Sequence, residues 1–175
     1  MIFETNYWKL ELKRLALILR RHITQGRWLA ASDASVEKCV MIGFYSIRKL
    51  LQAFQPPPNI KFQSKVTVFP RNQNKLSPIC FPEVPEAFDL DKPKIETIGL
   101  KKLCDQVIHS YFFSVWLGTD HKLRGVFFSS DYKKDIKVYR MDILAIIELF
   151  ENIASSRHKF ASLAHFYPDD NRVIM

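Results

Sequence analysis

Apolar side chains recur every three or four residues in the first third of the chain, the spacing that gathers them on one face of an α-helix. The first apolar stripe predicts a helix from about residue 6 to residue 25 and comprises Trp8, Leu12, Leu15, Leu19 and Ile23. The second stripe comprises Val36, Val40, Phe44, Ile47, Leu51 and Phe54. Ser32 or Asp33 is suited to cap this second helix, and the three prolines at 56–58 end it. Two long amphipathic helices with a short link predict an antiparallel helical hairpin.

The pattern changes between residues 55 and 94, where eight of the nine prolines lie. Proline removes a backbone donor and clashes with a helical turn, so this segment is not predicted to be helical. Its remaining apolar side chains indicate an ordered, irregular loop rather than a free linker, with one short strand at 65–69. A loop of this length inside a domain is often functional or lies over the core.

The second half of the chain predicts two further helices and a β-hairpin. A third helix is expected from about residue 95 to residue 112, because a proline precedes it and apolar residues then recur at helical spacing. Strand-like segments at 125–129 and 136–139, with a polar connection between them, predict the hairpin. Asp142 is placed to cap a fourth helix. The apolar stripe of that helix comprises Ile143, Ile146, Ile147, Phe150 and Ile153.

These elements together predict a mainly α fold, an antiparallel up-and-down helical bundle with a small β insertion. The chain is taken as a single domain over 1–175, with the Pro-rich ordered loop at 55–94 and the β-hairpin insertion at about 123–140. A content of 47% apolar and 13% aromatic residues excludes a disordered chain.

Charge adds a functional hint, because the formal net charge of +8 is concentrated in two segments. Residues 1–28 carry a net +4 and residues 113–140 a net +3. Such clusters suggest an anionic partner, with RNA or DNA first, although a solvated helix face and a solvated hairpin tip would give the same counts. The candidate nucleic-acid contacts are Lys13, Arg14, Arg20, Arg21, Lys133 and Lys134.

Cysteine usage and hydropathy bear on compartment and cofactors. Cys39, Cys80 and Cys104 are scattered and odd in number, which is typical of reduced thiols and gives neither a disulfide framework nor metal-ligand spacing. We see no signal-peptide pattern and no apolar run of the roughly 18 to 20 residues that a membrane span needs. The expectation is a cytoplasmic protein with no membrane partner, no cofactor and no metal.

One short stretch of the third predicted helix concentrates reactive side chains. On a helical wheel, one face is apolar, whereas the other carries Lys102, Asp105, Gln106 and His109. An imidazole can transfer protons to a 2′-hydroxyl or a leaving oxygen, and a nearby cation can neutralise charge that builds on phosphate. The stripe therefore suits gripping or cleaving a phosphodiester, while an ordinary polar helix surface is the alternative.

The sequence Asp105 followed by His109-Ser110-Tyr111 resembles the signature of HEPN domains, which is an arginine, often followed by Asn or Asp, and a His-any-Tyr triplet with four residues between the arginine and the His. The Asp, His and Tyr match, whereas Cys104 stands at the arginine position. Lys102 has the spacing of the basic residue in a looser form of the motif, but it lacks the planar fork of arginine. The predicted bundle, with this motif on a later helix, is also similar to the HEPN fold.

The resemblance implies a metal-independent ribonuclease of a toxin–antitoxin or phage-defence system, usually a homodimer with two motifs around one cleft. It gives His109 the catalytic or RNA-contacting role, Asp105 an orienting role, Tyr111 a supporting role and Lys102 that of a substitute cation. In some HEPN pairs a nucleotidyltransferase antitoxin modifies the motif tyrosine, so a cognate antitoxin is one expected partner. Other members only bind RNA or regulate.

Three functions stay open at this point. The first is a HEPN-like protein that binds RNA and cleaves it if the motif is active. The second is a non-catalytic protein-interaction module of a defence or mobile-element operon, which the cysteine at position 104 favours. The third is a small structural accessory protein. The spatial setting of His109 discriminates best among them.

Overall fold

The structure is a computed structural model that describes residues 5–53, 63–72 and 84–155. Within these ranges the chain forms five helices, of which the third is a single turn, and five strands. The helices are α1 (Thr5–Ile23), α2 (Ala30–Ala53), α3 (Val84–Ala87), α4 (Leu100–Ile108) and α5 (Ile143–Ser155). The strands are β1 (Gln63–Pro70), β2 (Lys94–Gly99), β3 (Ser110–Leu117), β4 (Leu123–Ser130) and β5 (Lys137–Asp142).

The architecture is α+β, so the predicted mainly α bundle is wrong. The five strands form one antiparallel sheet in the order β2-β1-β5-β4-β3. The hairpin expected as an insertion at about 123–140 supplies β4 and β5, and β5 is the central strand. The strand at 65–69 in the Pro-rich segment is confirmed as part of β1, which pairs with β2 on one side and β5 on the other. The rest of that predicted loop lies partly outside the described residues, at 54–62 and 73–83.

The first, second and fourth predicted helices are confirmed as α1, α2 and α5, whereas the third predicted helix is wrong over half of its length. In place of one helix at 95–112, the chain forms β2, the nine-residue α4 and the start of β3. Five of the eight residues at 110–117 are aromatic or β-branched, and such side chains fit a pleated surface better than a helix. Pairing with β4 along nearly the whole strand then decides the conformation.

One face of the sheet packs against α1, α2, α4 and α5 to form the main core. Alternate residues of the inner strands point into it, as the period of two in a β-strand requires. These residues include Val66, Val68, Val126, Phe128, Tyr139 and Met141. Helices α2 and α5 approach each other closely at Gly43, where an added Cβ would lie 2.0 Å from the Cζ atom of Phe150.

The opposite face of the sheet carries a smaller apolar cluster, partly covered by α3. Its buried members are Phe69, Val84, Ala87, Phe88, Phe127 and Val138, with Leu90, Phe112 and Trp116 packed against them. Arg140 points to this same face, because it lies opposite Phe127 on β4 and Thr67 on β1. The sheet therefore has one face in the main core and one face with aromatic and basic side chains.

Candidate functional site

The residues of the sequence motif lie where α4 ends and β3 begins. Helix α4 ends at Ile108, and His109 occupies its C-cap with φ −101° and ψ 28°, its backbone N–H donating to the Asp105 carbonyl at 3.1 Å. Tyr111 is already part of β3. The motif therefore spans a helix-to-strand junction, and His109 and Tyr111 do not lie within one helix as the sequence predicted.

The polar face predicted for this helix is present. Lys102 and His109 are exposed, whereas Asp105 and Gln106 are half-buried. The Asp105 carboxylate accepts a hydrogen bond from Nε of Arg48 at 2.8 Å, and the Gln106 amide oxygen accepts one from the Ser130 hydroxyl at 2.7 Å. These two contacts tie α4 to α2 and to the end of β4. Asp105 is thus held by a guanidinium, and His109 stays open to solvent.

Cys104, at the arginine position of the motif, is fully buried in the main core. Burial raises the pKa of its thiol far above the ordinary value, and the neighbouring Asp105 carboxylate raises it further. Position 104 therefore faces away from the polar face. A guanidinium still reaches that face, but Arg48 of α2 supplies it. Sequence reasoning missed Arg48, although its place four residues after the buried Phe44 was a signal that it lies at the edge of the core.

The turn between β4 and β5 brings a basic cluster to the motif. The ammonium nitrogen of Lys134 lies 4.1 Å from the centroid of the Tyr111 ring and 2.6 Å from Oδ1 of Asp131. The hydrogen bond with Asp131 raises the pKa of Lys134, so its charge is firmly kept. Tyr132 in the same turn is 90% exposed. Nη1 of Arg71 donates to the Lys134 carbonyl at 2.6 Å, which anchors the turn to the residue after β1.

Two of the four basic residues predicted to bind nucleic acid on α1 have carboxylate partners. Arg14 donates through two nitrogens to Glu11, and Arg20 does the same to Glu151 of α5 at 2.9 and 2.8 Å. The hydrogen bond to Glu151 raises the pKa of the Arg20 guanidinium. Lys13 and Arg21 are exposed on the same helix. The structure thus uses part of the first basic cluster to hold α1 in place.

We define the motif surface as Lys102, His109, Tyr111, Lys133 and Lys134. It includes all but one of the predicted catalytic residues, and the contact of Lys134 with Tyr111 joins them to the basic turn. The remaining one, Asp105, is paired with Arg48. In the described ranges, no group of three or more His, Cys, Asp and Glu side chains is placed to hold a metal ion. None of the helices described combines the length and the apolar character that crossing a membrane requires.

Comparison of the chain with models of known protein families, with curated proteins and with solved structures finds no match. The protein is an α+β protein with an antiparallel sheet, four helices on one sheet face, and a basic and aromatic surface at the end of α4.

Proposed function

We propose that this protein binds single-stranded RNA at the motif surface. The observation that carries the proposal is the contact of the Lys134 ammonium with the Tyr111 ring at 4.1 Å, beside the exposed His109. This contact joins Lys134 of the basic cluster to Tyr111 of the motif, two features that lie apart along the sequence. Both are attached to rigid elements, because Lys134 follows β4 and His109 ends α4.

The chemistry of the motif surface suits an RNA single strand. Exposed tyrosines such as Tyr111 and Tyr132 offer ring faces on which unpaired bases stack. Lysine ammonium groups attract the phosphates between those bases and release counterions when they bind. Lys134 is held against the Tyr111 ring, so less side-chain entropy is lost when it exchanges the exposed Asp131 carboxylate for a phosphate. A duplex would hide its base faces, which is why the single strand is the expected ligand.

Cleavage of the bound strand by acid–base chemistry at His109 is a second candidate. It is favoured by the exposure of the imidazole at the end of α4, where a 2′-hydroxyl can approach it. The HEPN resemblance supports this candidate through the motif residues alone, because the helical bundle it implies is not the fold. If the protein cleaves RNA in this way, we expect it to act as a homodimer in the cytoplasm. The free, buried thiols of Cys39 and Cys104 agree with a cytoplasmic location.

Binding is tested by fluorescence anisotropy with a labelled, unstructured oligoribonucleotide at several salt concentrations. The double variant K133Q/K134Q should weaken binding and lower the slope of log affinity against log salt by about 1.4, at roughly 0.7 per phosphate contact. Lys38→Gln is the matched control, because Lys38 is exposed on α2 about 15 Å along the helix axis from Arg48. An equal loss in the control, or an affinity that does not depend on salt, would contradict the proposal and favour a protein partner.

Cleavage is tested with the same RNA on a denaturing gel. Wild-type protein should produce fragments, and His109→Ala should not, although the variant should still bind the uncleaved strand through the lysines of the turn. Fragments from both proteins, or from neither, would remove His109 from any catalytic role and leave the binding proposal to its own assay.

A further inference from the structure

Arg140 occupies an unusual place on the sheet face that the main core does not cover. It lies in β5, the central strand, and its guanidinium carbon is 4.4 Å from the Trp116 ring centroid and 5.2 Å from that of Phe69. The guanidinium is therefore held between two aromatic rings, one on β3 and one on β1. Residues from three strands build this position.

The charge of Arg140 has no counterpart in the part of the chain that the structure describes. Its Nε atom is buried and has no hydrogen-bond partner, and none of the ion pairs among described residues includes it. By contrast, Arg20 and Arg124 each donate to a carboxylate. A buried N–H group that has lost water without gaining a partner costs stability, and such a group is commonly kept for a function.

The backbone beneath Trp116 is arranged for this contact. Gly125 lies directly opposite Trp116 on β4. A Cβ at position 125 would be 3.1 Å from Cε3 of Trp116 and 2.3 Å from the carbonyl oxygen of Met141. The Met141 carbonyl requires glycine here, and the missing side chain also lets the indole ring lie close over β4 on the side of Arg140.

The geometry decides which ligand fits. Aromatic rings pack against the faces of the guanidinium plane, so the edge that bears the N–H groups is what Arg140 offers to a partner. These N–H groups donate in the plane and match an oxyanion, which they can hold by two parallel hydrogen bonds. A phosphate carries more charge than a carboxylate, and the net charge of +8 raises the local concentration of such anions most.

We propose that Arg140, clamped by Trp116 and Phe69, is a phosphate-binding site separate from the motif surface. It does not rest on RNA binding at that surface. The phosphate can belong to a free nucleotide or to a nucleic-acid backbone, since both present the same group to the guanidinium edge. Trp116 reports on the site, because a phosphate at Arg140 changes the surroundings of the indole ring.

The test measures binding of inorganic phosphate, adenosine monophosphate and a labelled oligoribonucleotide, by calorimetry and by tryptophan fluorescence. Arg140→Met keeps an unbranched apolar stem and removes the guanidinium with its charge, and it should lower affinity for the bound probe at least about tenfold. Arg124→Met is the matched control, because Arg124 lies on β4 and is already paired with Asp120 at 2.9 Å. Urea unfolding of both variants confirms that they are folded.

Each outcome decides a part of the proposal. Loss of phosphate and nucleotide binding in Arg140→Met alone supports a free phosphate ligand, and loss confined to the oligonucleotide supports a nucleic-acid backbone. An equal loss in Arg124→Met would show a general effect of charge and overturn the site. Absence of binding of all three probes to the wild type would overturn it as well. If Arg140→Met does not fold, Arg140→Gln with the same probes takes its place.

Discussion

The contact between α2 and α5 at Gly43 gives the sharpest prediction of stability. In Gly43→Ala the new methyl group would lie 2.0 Å from Cζ and 2.2 Å from Cε2 of Phe150, whose side chain is fully buried. The ring cannot swing into solvent, so the strain falls in the upper part of the roughly 1–3 kcal/mol that overpacking costs. Alanine regains about 1 kcal/mol of helix propensity over glycine. The net loss in unfolding free energy is therefore about 2 kcal/mol, or roughly 4–8 °C in Tm.

The assay is urea unfolding followed by circular dichroism, run on single and double variants. Phe150→Leu removes the ring, so Gly43→Ala should cost at least about 1 kcal/mol less in that background than in the wild type. Gly26→Ala is the matched control, because nothing lies within 4 Å of a Cβ there, and it should be neutral or slightly stabilising. If Gly43→Ala is as stable as the wild type, α2 and α5 do not pack as described.

Three further predictions concern charged and ionisable side chains. Asp105→Asn leaves the Arg48 side chain, which is only 21% exposed, without its carboxylate partner. The unfolding free energy measured in urea titrations should therefore drop by about 1–2 kcal/mol, and adding Arg48→Met to the same chain should recover part of this loss. Burial raises the pKa of Cys104, so the folded protein retains a thiol proton that the unfolded chain loses above the ordinary thiol pKa. Above that pH the unfolding free energy should fall by up to about 1.4 kcal/mol per pH unit, and C104V should flatten this fall. The hydrogen bond from Arg14 lowers the pKa of Glu11, so the stabilisation by this pair is present above the ordinary carboxyl pKa and is lost as pH falls through the lowered pKa. Glu11→Gln should remove this loss of unfolding free energy at acid pH, and an unchanged pH profile of the variant would contradict the prediction.

The sequence predicted the elements whose patterns are local. The stripes of α1, α2 and α5 and the hairpin of β4 and β5 are each legible within about twenty residues, and all are present. Strand β2 was predicted as the start of a helix, because Pro93 precedes it and the apolar residues that follow recur at helical spacing. Its strand conformation depends on pairing with β1, where Thr67 lies opposite Ile95, and a contact between residues so far apart leaves no local pattern.

The candidate site divides in the same way. His109 and its polar neighbours were found because they follow one another along α4. Their partners were not, since Arg48 lies 57 residues before Asp105 and Lys134 was assigned only to a separate basic cluster. The aromatic clamp on Arg140 was missed for a further reason: its three side chains come from three strands, and the start of one of them, β3, was predicted as the end of a helix.

The position of β5 in the middle of the sheet has a consequence for how the chain matures on the ribosome. Strand β1 leaves the ribosome early, yet its inner edge waits for β5, where Thr67 meets Arg140. Helix α1 waits longer still, because α5, the last helix described, covers part of its apolar stripe and supplies Glu151 to Arg20. Nearly all of the described chain must therefore be synthesised before β1 and α1 can be fully buried, and until then the nascent chain exposes an unpaired strand edge and apolar side chains. We therefore expect the nascent chain to bind chaperones, and we expect that slowing translation would not help it fold.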